Sequence, residues 1–186
     1  MNIANKLTIL RIILVPFFLL CFYLEALAVP LQVAGFATTY ANFVAFVIFV
    51  VAATTDWLDG YLARRLQLIS DFGKFMDPLA DKMLTTAAFL IFVDQGVLSG
   101  WIVFLILARE FVVSGLRMTA ASTGVVIAAG WSGKFKTVLQ FLTVIALLLH
   151  PEPTGVNLFL IYSMTIATVA SGFEYVIKNI DVFKAN

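Results

Sequence analysis

Apolar residues in this chain come in long runs broken by short polar stretches, the pattern of membrane-crossing helices and not of half-buried strands. After a polar start at Asn2 to Lys6, Leu7 to about Leu27 is a first run of spanning length. Val29 to Thr39, with Pro30 and Gly35, reads as a loop. Tyr40 to about Leu66 is a second span whose last third turns polar, Gln67 to Phe72 a short connection, and Gly73 to Val93 a third span. Pro78 directly follows Asp77, so that helix is expected to start late or to kink there. A turn at Asp94 to Gly100 leads into a fourth span, Trp101 to about Ala121, which carries Arg109, Glu110 and Arg117. Ser122 to Trp131 is a glycine-containing loop, Ser132 to Leu149 a fifth span opening on Lys134 and Lys136, His150 to Gly155 a turn, and Val156 to about Ile177 the sixth span. The expected fold is an all-α polytopic membrane protein with six transmembrane helices, forming a single domain over residues 1–186.

Composition agrees with that reading. The 186 residues are 62% hydrophobic and 12% charged, with a mean hydropathy of +1.02, well beyond the range of soluble domains. The formal charge of +1 hides an asymmetry along the chain. Loops 28–38, 94–100 and 150–155 contain no lysine or arginine, and of the twelve basic residues all but Arg109 lie near the opposite ends of the spans. The positive-inside rule then gives N-in and C-in, with the connection between the second and third spans facing the cytoplasm. One cysteine, Cys21, excludes an intramolecular disulfide and a cysteine metal cluster. His150 falls in an outer turn, and Trp57, Trp101 and Trp131 lie near span ends, where interfacial anchoring is the default.

The candidate chemistry lies between Asp56 and Asp81. Asp56, Asp59, Gly60, Ala63 and Arg64 fall within about 140° of arc on a helix, and Asp77 and Asp81 are one turn apart on the next. Each ionised carboxylate at membrane depth costs about 2.5–3.5 kcal/mol even on the lenient insertion scale, so four together need cations. Oxygen ligands select hard ions: two Mg²⁺ (or Mn²⁺) shared by four aspartates would neutralise them and clamp a pyrophosphate. Gly60 lets a ligand approach the backbone, and Arg64 on the same face suits a phosphate. Interfacial aspartates paired with Arg64, Arg65, Lys74 and Lys82 are the plainer alternative.

Asp56, Asp59, Gly60, Ala63, Arg64, Gly73, Asp77 and Asp81 match every fixed position and gap of the pattern D-x2-D-G-x2-A-R-x8-G-x3-D-x3-D. In this the chain resembles the CDP-alcohol phosphatidyltransferases. The resemblance implies a six-helix, usually homodimeric membrane enzyme that transfers the phosphatidyl group of CDP-diacylglycerol to an alcohol and releases CMP. It implies that Asp56, Asp59 and Asp77 hold the two metal ions, that Asp81 is both a metal neighbour and the base, and that Gly60, Arg64 and Ser70 contact the CDP moiety. The segment from Asn5 to Ile12 is similar to the family's N-terminal segment, where Asn5 and Thr8 would meet the nucleotide; Ala4 departs from the proline common there. The compact length and the stretches 108–110, 114–117 and 133–137 are most similar to bacterial members whose acceptor is sn-glycerol 3-phosphate and whose product is phosphatidylglycerophosphate.

Charge balance points to the same acceptor. Two divalent ions and Arg64 already meet the aspartates and the pyrophosphate, so Arg109, Arg117 and Lys134 remain as a cradle for a phosphate monoester. Asp81 and Arg109 are each about eight residues, or roughly 12 Å, into their helices from opposite ends, which allows similar depth. Glycerol 3-phosphate is the expected acceptor, with inositol phosphate the nearest competitor. Two readings of other classes stand beside it: an intramembrane cation transporter, which would be expected to show repeats and broken helices, and a prenyltransferase, which would be expected to show two aspartate clusters on separate helix pairs.

Overall fold

The computed structural model describes the backbone of residues 3–33, 35–66, 71–122 and 130–180; the side chains of residues 3–5, 36, 56–66, 71–78, 81 and 122 lie outside that description. Among the described residues there are six α-helices: α1 (Ile3–Tyr23), α2 (Tyr40–Leu66), α3 (Asp71–Asp94), α4 (Gly100–Ser122), α5 (Trp131–Leu149) and α6 (Gly155–Lys178). Of these α1, α5 and α6 are long and apolar enough to cross a membrane. The outward faces of the helices carry large apolar side chains, among them Phe17, Phe104, Phe111, Phe159, Ile166 and Phe173, a surface matched to lipid tails and poorly matched to water.

The stretch 29–39, expected as a loop, is instead a small antiparallel hairpin, β1 (Pro30–Val33) with β2 (Phe36–Thr39), paired in the register Pro30 with Thr39 through Val33 with Phe36. Only two residues separate the Val33–Phe36 pair, and Gly35 at φ +86° supplies the left-handed backbone that so tight a reversal needs. Pro30 opens its strand, where the absence of an N–H is tolerated. The second departure concerns the start of α3: it is not late, and the helix runs from Asp71 through Pro78 to Asp94. Pro78 costs the helix one hydrogen bond to the preceding turn, a loss that helices packed in a membrane tolerate.

Hydroxyl side chains mark three helix starts. Thr39 Oγ1 accepts from Asn42 N at 3.2 Å, Ser99 Oγ from Trp101 N at 3.4 Å and Thr154 Oγ1 from Asn157 N at 3.3 Å, each satisfying an amide that has no partner within its helix.

The chain divides into two compact units. The first comprises Met1–Asp94 and Val144–Pro151, and the second Gln95–Thr143 and Glu152–Asn186. In the first unit α1 packs along both α2 and α3. Ala41, Ala45 and Ala52 on α2 and Ala80, Ala87 and Ala88 on α3 are buried, small residues that let helix backbones approach without a loss of packing. Thr38 Oγ1 donates to the carbonyl of Leu148 at 3.2 Å, joining the hairpin to the end of α5. In the second unit α4 packs on α6 around Val113, Leu116 and Tyr175, and Thr143 Oγ1 of α5 reaches the Leu160 carbonyl of α6 at 3.4 Å.

Candidate active site

The buried face of α2 follows the three-and-four spacing of a helix stripe: Ala41, Ala45, Phe49 and Ala52. Continuing that spacing along the same helix, positions 56, 59 and 63 fall in line with the stripe. On α3 Ala80, Leu84, Ala87, Ala88, Phe89, Ile91 and Phe92 are buried, and positions 77 and 81 lie in the turns before them. Positions 56 and 59 are thus one turn apart on α2, and 77 and 81 one turn apart on α3. The side chains of these four, and those of Gly60, Arg64 and Asn5, lie outside the described residues, as does Ser70 altogether. Among the described residues no cluster of three or more His, Cys, Asp or Glu is placed to hold a metal. Four carboxylates at i, i+3 and i, i+4 spacing on two uninterrupted helices are a donor set of the hard-oxygen type that suits magnesium or manganese.

The helix that packs against both aspartate helices carries its own polar stripe. Thr8, Arg11, Val15 and Phe18 of α1 are all buried at the same spacing, and position 5 continues it. Thr8, expected at the nucleotide, is completely buried, and Arg11 is 1% exposed. In the sequence Arg11 is one of the basic residues near a span end, and its three-residue offset from Thr8 is the signal that it faces inward. A guanidinium at that depth has to be matched by anionic or carbonyl groups. Arg11→Ala should therefore lower stability by about 3–5 kcal/mol, the usual cost of breaking one side of a buried charge interaction, measurable as a drop in thermal unfolding temperature in detergent.

The second unit collects the cations of the fourth and fifth spans. Arg109 Nη1 donates to Glu110 Oε1 at 3.2 Å, and Lys136 Nζ donates to the same oxygen. Lys136 is buried and Glu110 nearly so. The Arg109 stem lines an open apolar groove of about 270 Å³ walled by Leu105, Val112, Val169 and Phe173. Arg117 Nε donates to the Tyr175 hydroxyl at 3.1 Å, and its guanidinium lies over the same ring, 5.4 Å from the centroid. Lys134 is exposed, with Nζ 4.7 Å from the centroid of Trp131, at cation–π distance. Of the three cations expected to form one cradle, the structure gives each a separate aromatic or acidic neighbour, and it brings Lys136 to Arg109 through Glu110. Residues 134 and 136 point about 200° apart around a helix, so their spacing alone could not say which of the two turns inward.

The model of the CDP-alcohol phosphatidyltransferase family matches residues 1–173. The chain is 41% identical to the CDP-diacylglycerol–glycerol-3-phosphate 3-phosphatidyltransferase of Bacillus subtilis (strain 168), over 100% of this chain and 98% of the relative. It is 39% identical to the protein of the same name from Pectobacterium atrosepticum, over 94% and 92%, and 37% identical to that from Sodalis glossinidius, over 94% and 93%. A match of that extent shows that this protein belongs to the CDP-alcohol phosphatidyltransferase family.

Proposed function

We propose that the chain transfers the phosphatidyl group of CDP-diacylglycerol to sn-glycerol 3-phosphate, giving phosphatidylglycerophosphate and CMP. The observation that carries this is the near-full-length likeness to relatives named for that reaction; the complete aspartate pattern carried by α2 and α3 supports the phosphatidyl-transfer chemistry. In the reaction a hydroxyl oxygen of glycerol 3-phosphate attacks the lipid-side phosphorus of CDP-diacylglycerol. The bond from that phosphorus to the CMP oxygen breaks, CMP leaves with the electron pair, and the hydroxyl proton passes to the Asp81 carboxylate. Asp56, Asp59 and Asp77, with Asp81 as a neighbour, would hold two divalent cations, which when bound offset the carboxylates and withdraw charge from the pyrophosphate. Asn5, Thr8, Gly60, Arg64 and Ser70 are assigned to the CDP-diacylglycerol headgroup. Arg109, Arg117 and Lys134 are assigned to the acceptor phosphate.

The first test is CMP release from CDP-diacylglycerol by purified protein with and without magnesium or manganese. Release that needs both the metal and glycerol 3-phosphate is expected; metal-stimulated ion flux without CMP release would favour the transporter reading instead.

The proposed setting is a homodimer in the bacterial cell membrane with six spans, both termini and the aspartates on the cytoplasmic side, from the distribution of lysine and arginine. The exposed positions Glu25, Gln95 and Glu152 are suitable reporters of the outer side and Lys178 of the inner side. Gly35 and Thr154 are poor choices, the first because its positive φ disfavours a side chain and the second because it caps α6. On a Cys21→Ser background, Glu25→Cys, Gln95→Cys and Glu152→Cys should react with an impermeant thiol reagent in intact cells, whereas Lys178→Cys should react only after lysis. The reverse pattern inverts the topology.

A further inference from the structure

Arg109 is held in an unusual way for an arginine on a membrane helix. Its stem crosses α6 at Gly172, where a Cβ would stand 2.9 Å from Arg109 Cγ, closer than side chains pack. At the other end, Nη2 lies beside Gly133 of α5, where a Cβ would sit 3.6 Å away. Glu110 takes Nη1, and Lys136 secures the same carboxylate oxygen from α5. The glycine slot fixes the stem, therefore, and the carboxylate fixes one end of the fork. With Nη1 engaged, the edge left for a ligand is the one formed by Nε and Nη2. Nε is buried and finds no hydrogen-bond partner among the described residues, a condition that costs stability unless an acceptor arrives. The side-on edge of a guanidinium matches two oxygens of a phosphate.

We infer that Glu110 and Gly172 are positioning residues that preset the Nε–Nη2 edge of Arg109 for a phosphate monoester, with Lys136 anchoring Glu110. This rests on the reading above in which Arg109 meets the acceptor phosphate, and it adds the groups that aim it. Neither Glu110 nor Gly172 contacts the acceptor. Each acts through Arg109, Glu110 by charge and hydrogen bonding and Gly172 by leaving room.

The test is steady-state kinetics of the full-length protein in detergent–lipid micelles, varying glycerol 3-phosphate and CDP-diacylglycerol separately. Glu110→Gln keeps an oxygen for Nη1 but loses the charge that holds Lys136, and Gly172→Ala pushes on the Arg109 stem. Both should raise KM for glycerol 3-phosphate by about 10- to 100-fold, the range expected for losing a charge-assisted hydrogen bond. KM for CDP-diacylglycerol should stay within about twofold, because a mutation that only loosens the fold has no reason to select one substrate. Glu110→Asp should recover part of the loss. Gly115→Ala, at a helical glycine with open space around it, should change neither KM. If Glu110→Gln fails to accumulate as folded protein, Gly172→Ala and Glu110→Asp decide the matter. A parallel rise in both KM values, or a loss confined to kcat, overturns the inference while leaving the acceptor assignment standing. A wild-type protein that makes no phosphatidylglycerophosphate removes the acceptor assignment and this inference together.

Discussion

Asp81→Asn should lower turnover by about 10²- to 10⁴-fold, the range that a positioned general base supplies, while CDP-diacylglycerol still binds. The substitution keeps the size of the side chain and its ability to accept a hydrogen bond but removes the basic oxygen that would take the acceptor proton. Asp56→Ala and Asp77→Ala should lose activity by another route: each deletes an oxygen donor, so their residual CMP release should depend on much higher metal concentrations. Comparing titrations of magnesium for the three variants separates the roles. Full recovery of Asp81→Asn at saturating metal would reduce Asp81 to a ligand and remove it as base. Loss of nucleotide binding in Asp81→Asn, with a metal requirement like that of Asp56→Ala, would say the same.

The placing of the four aspartates as two one-turn pairs on successive helices was legible in the sequence, because their spacing survives any reasonable choice of helix ends. The span predicted from Tyr40 to Leu66 coincides with α2, and the third span was misplaced by two residues at its start. On either set of boundaries 56 and 59 share one face, and 77 and 81 share another. The hairpin at 30–39 was not legible, because Pro30 and Gly35 mark a strand start and a tight reversal as readily as they mark a loop. The continuity of α3 through Pro78 was hidden for a related reason: local backbone preference argues for a break, whereas packing of α1 along the same helix argues for continuation. Lys136 shows the limit most clearly. It stood in the sequence beside Lys134 with nothing to rank the two, and only the Glu110 carboxylate facing it from α4 identifies it as the inward one. Glu110 is next to Arg109 in the sequence, and the structure makes it a link between two helices.

Among phosphorylated and neutral alcohols offered together, glycerol 3-phosphate should be the best acceptor, ahead of inositol 1-phosphate, with serine and phosphatidylglycerol far behind. The aspartate pattern cannot make this choice, since every transfer from CDP-diacylglycerol would use it; the choice rests on the cations of the second unit. Arg117 is exposed, gives Nε to the Tyr175 hydroxyl and lies over that ring, so Tyr175 holds its guanidinium in place. An arginine held in that way presents a preset fork to a phosphate, and Arg117→Ala should raise KM for glycerol 3-phosphate by about 10- to 100-fold. Arg117→Lys should not restore it, because a point charge cannot reproduce the fork. Lys134 is exposed and already sits over Trp131; at such a position solvent screens the charge, and Lys134→Ala should raise KM by only a few-fold. The competing explanation is that both residues anchor their helices at the lipid headgroups, as basic residues at span ends commonly do. Anchoring predicts equal losses with every acceptor and lower yields of inserted protein, whereas phosphate recognition predicts losses confined to phosphorylated acceptors. Tyr175→Phe sharpens the distinction: it removes the hydroxyl that fixes Arg117 without touching any charge, so a selective rise in KM for glycerol 3-phosphate can come only from a misaimed guanidinium. Serine or phosphatidylglycerol emerging as the preferred substrate, or an unchanged KM for the phosphorylated acceptor in both Arg117→Ala and Lys134→Ala, would defeat the assignment and leave a phosphatidyltransferase with a different alcohol.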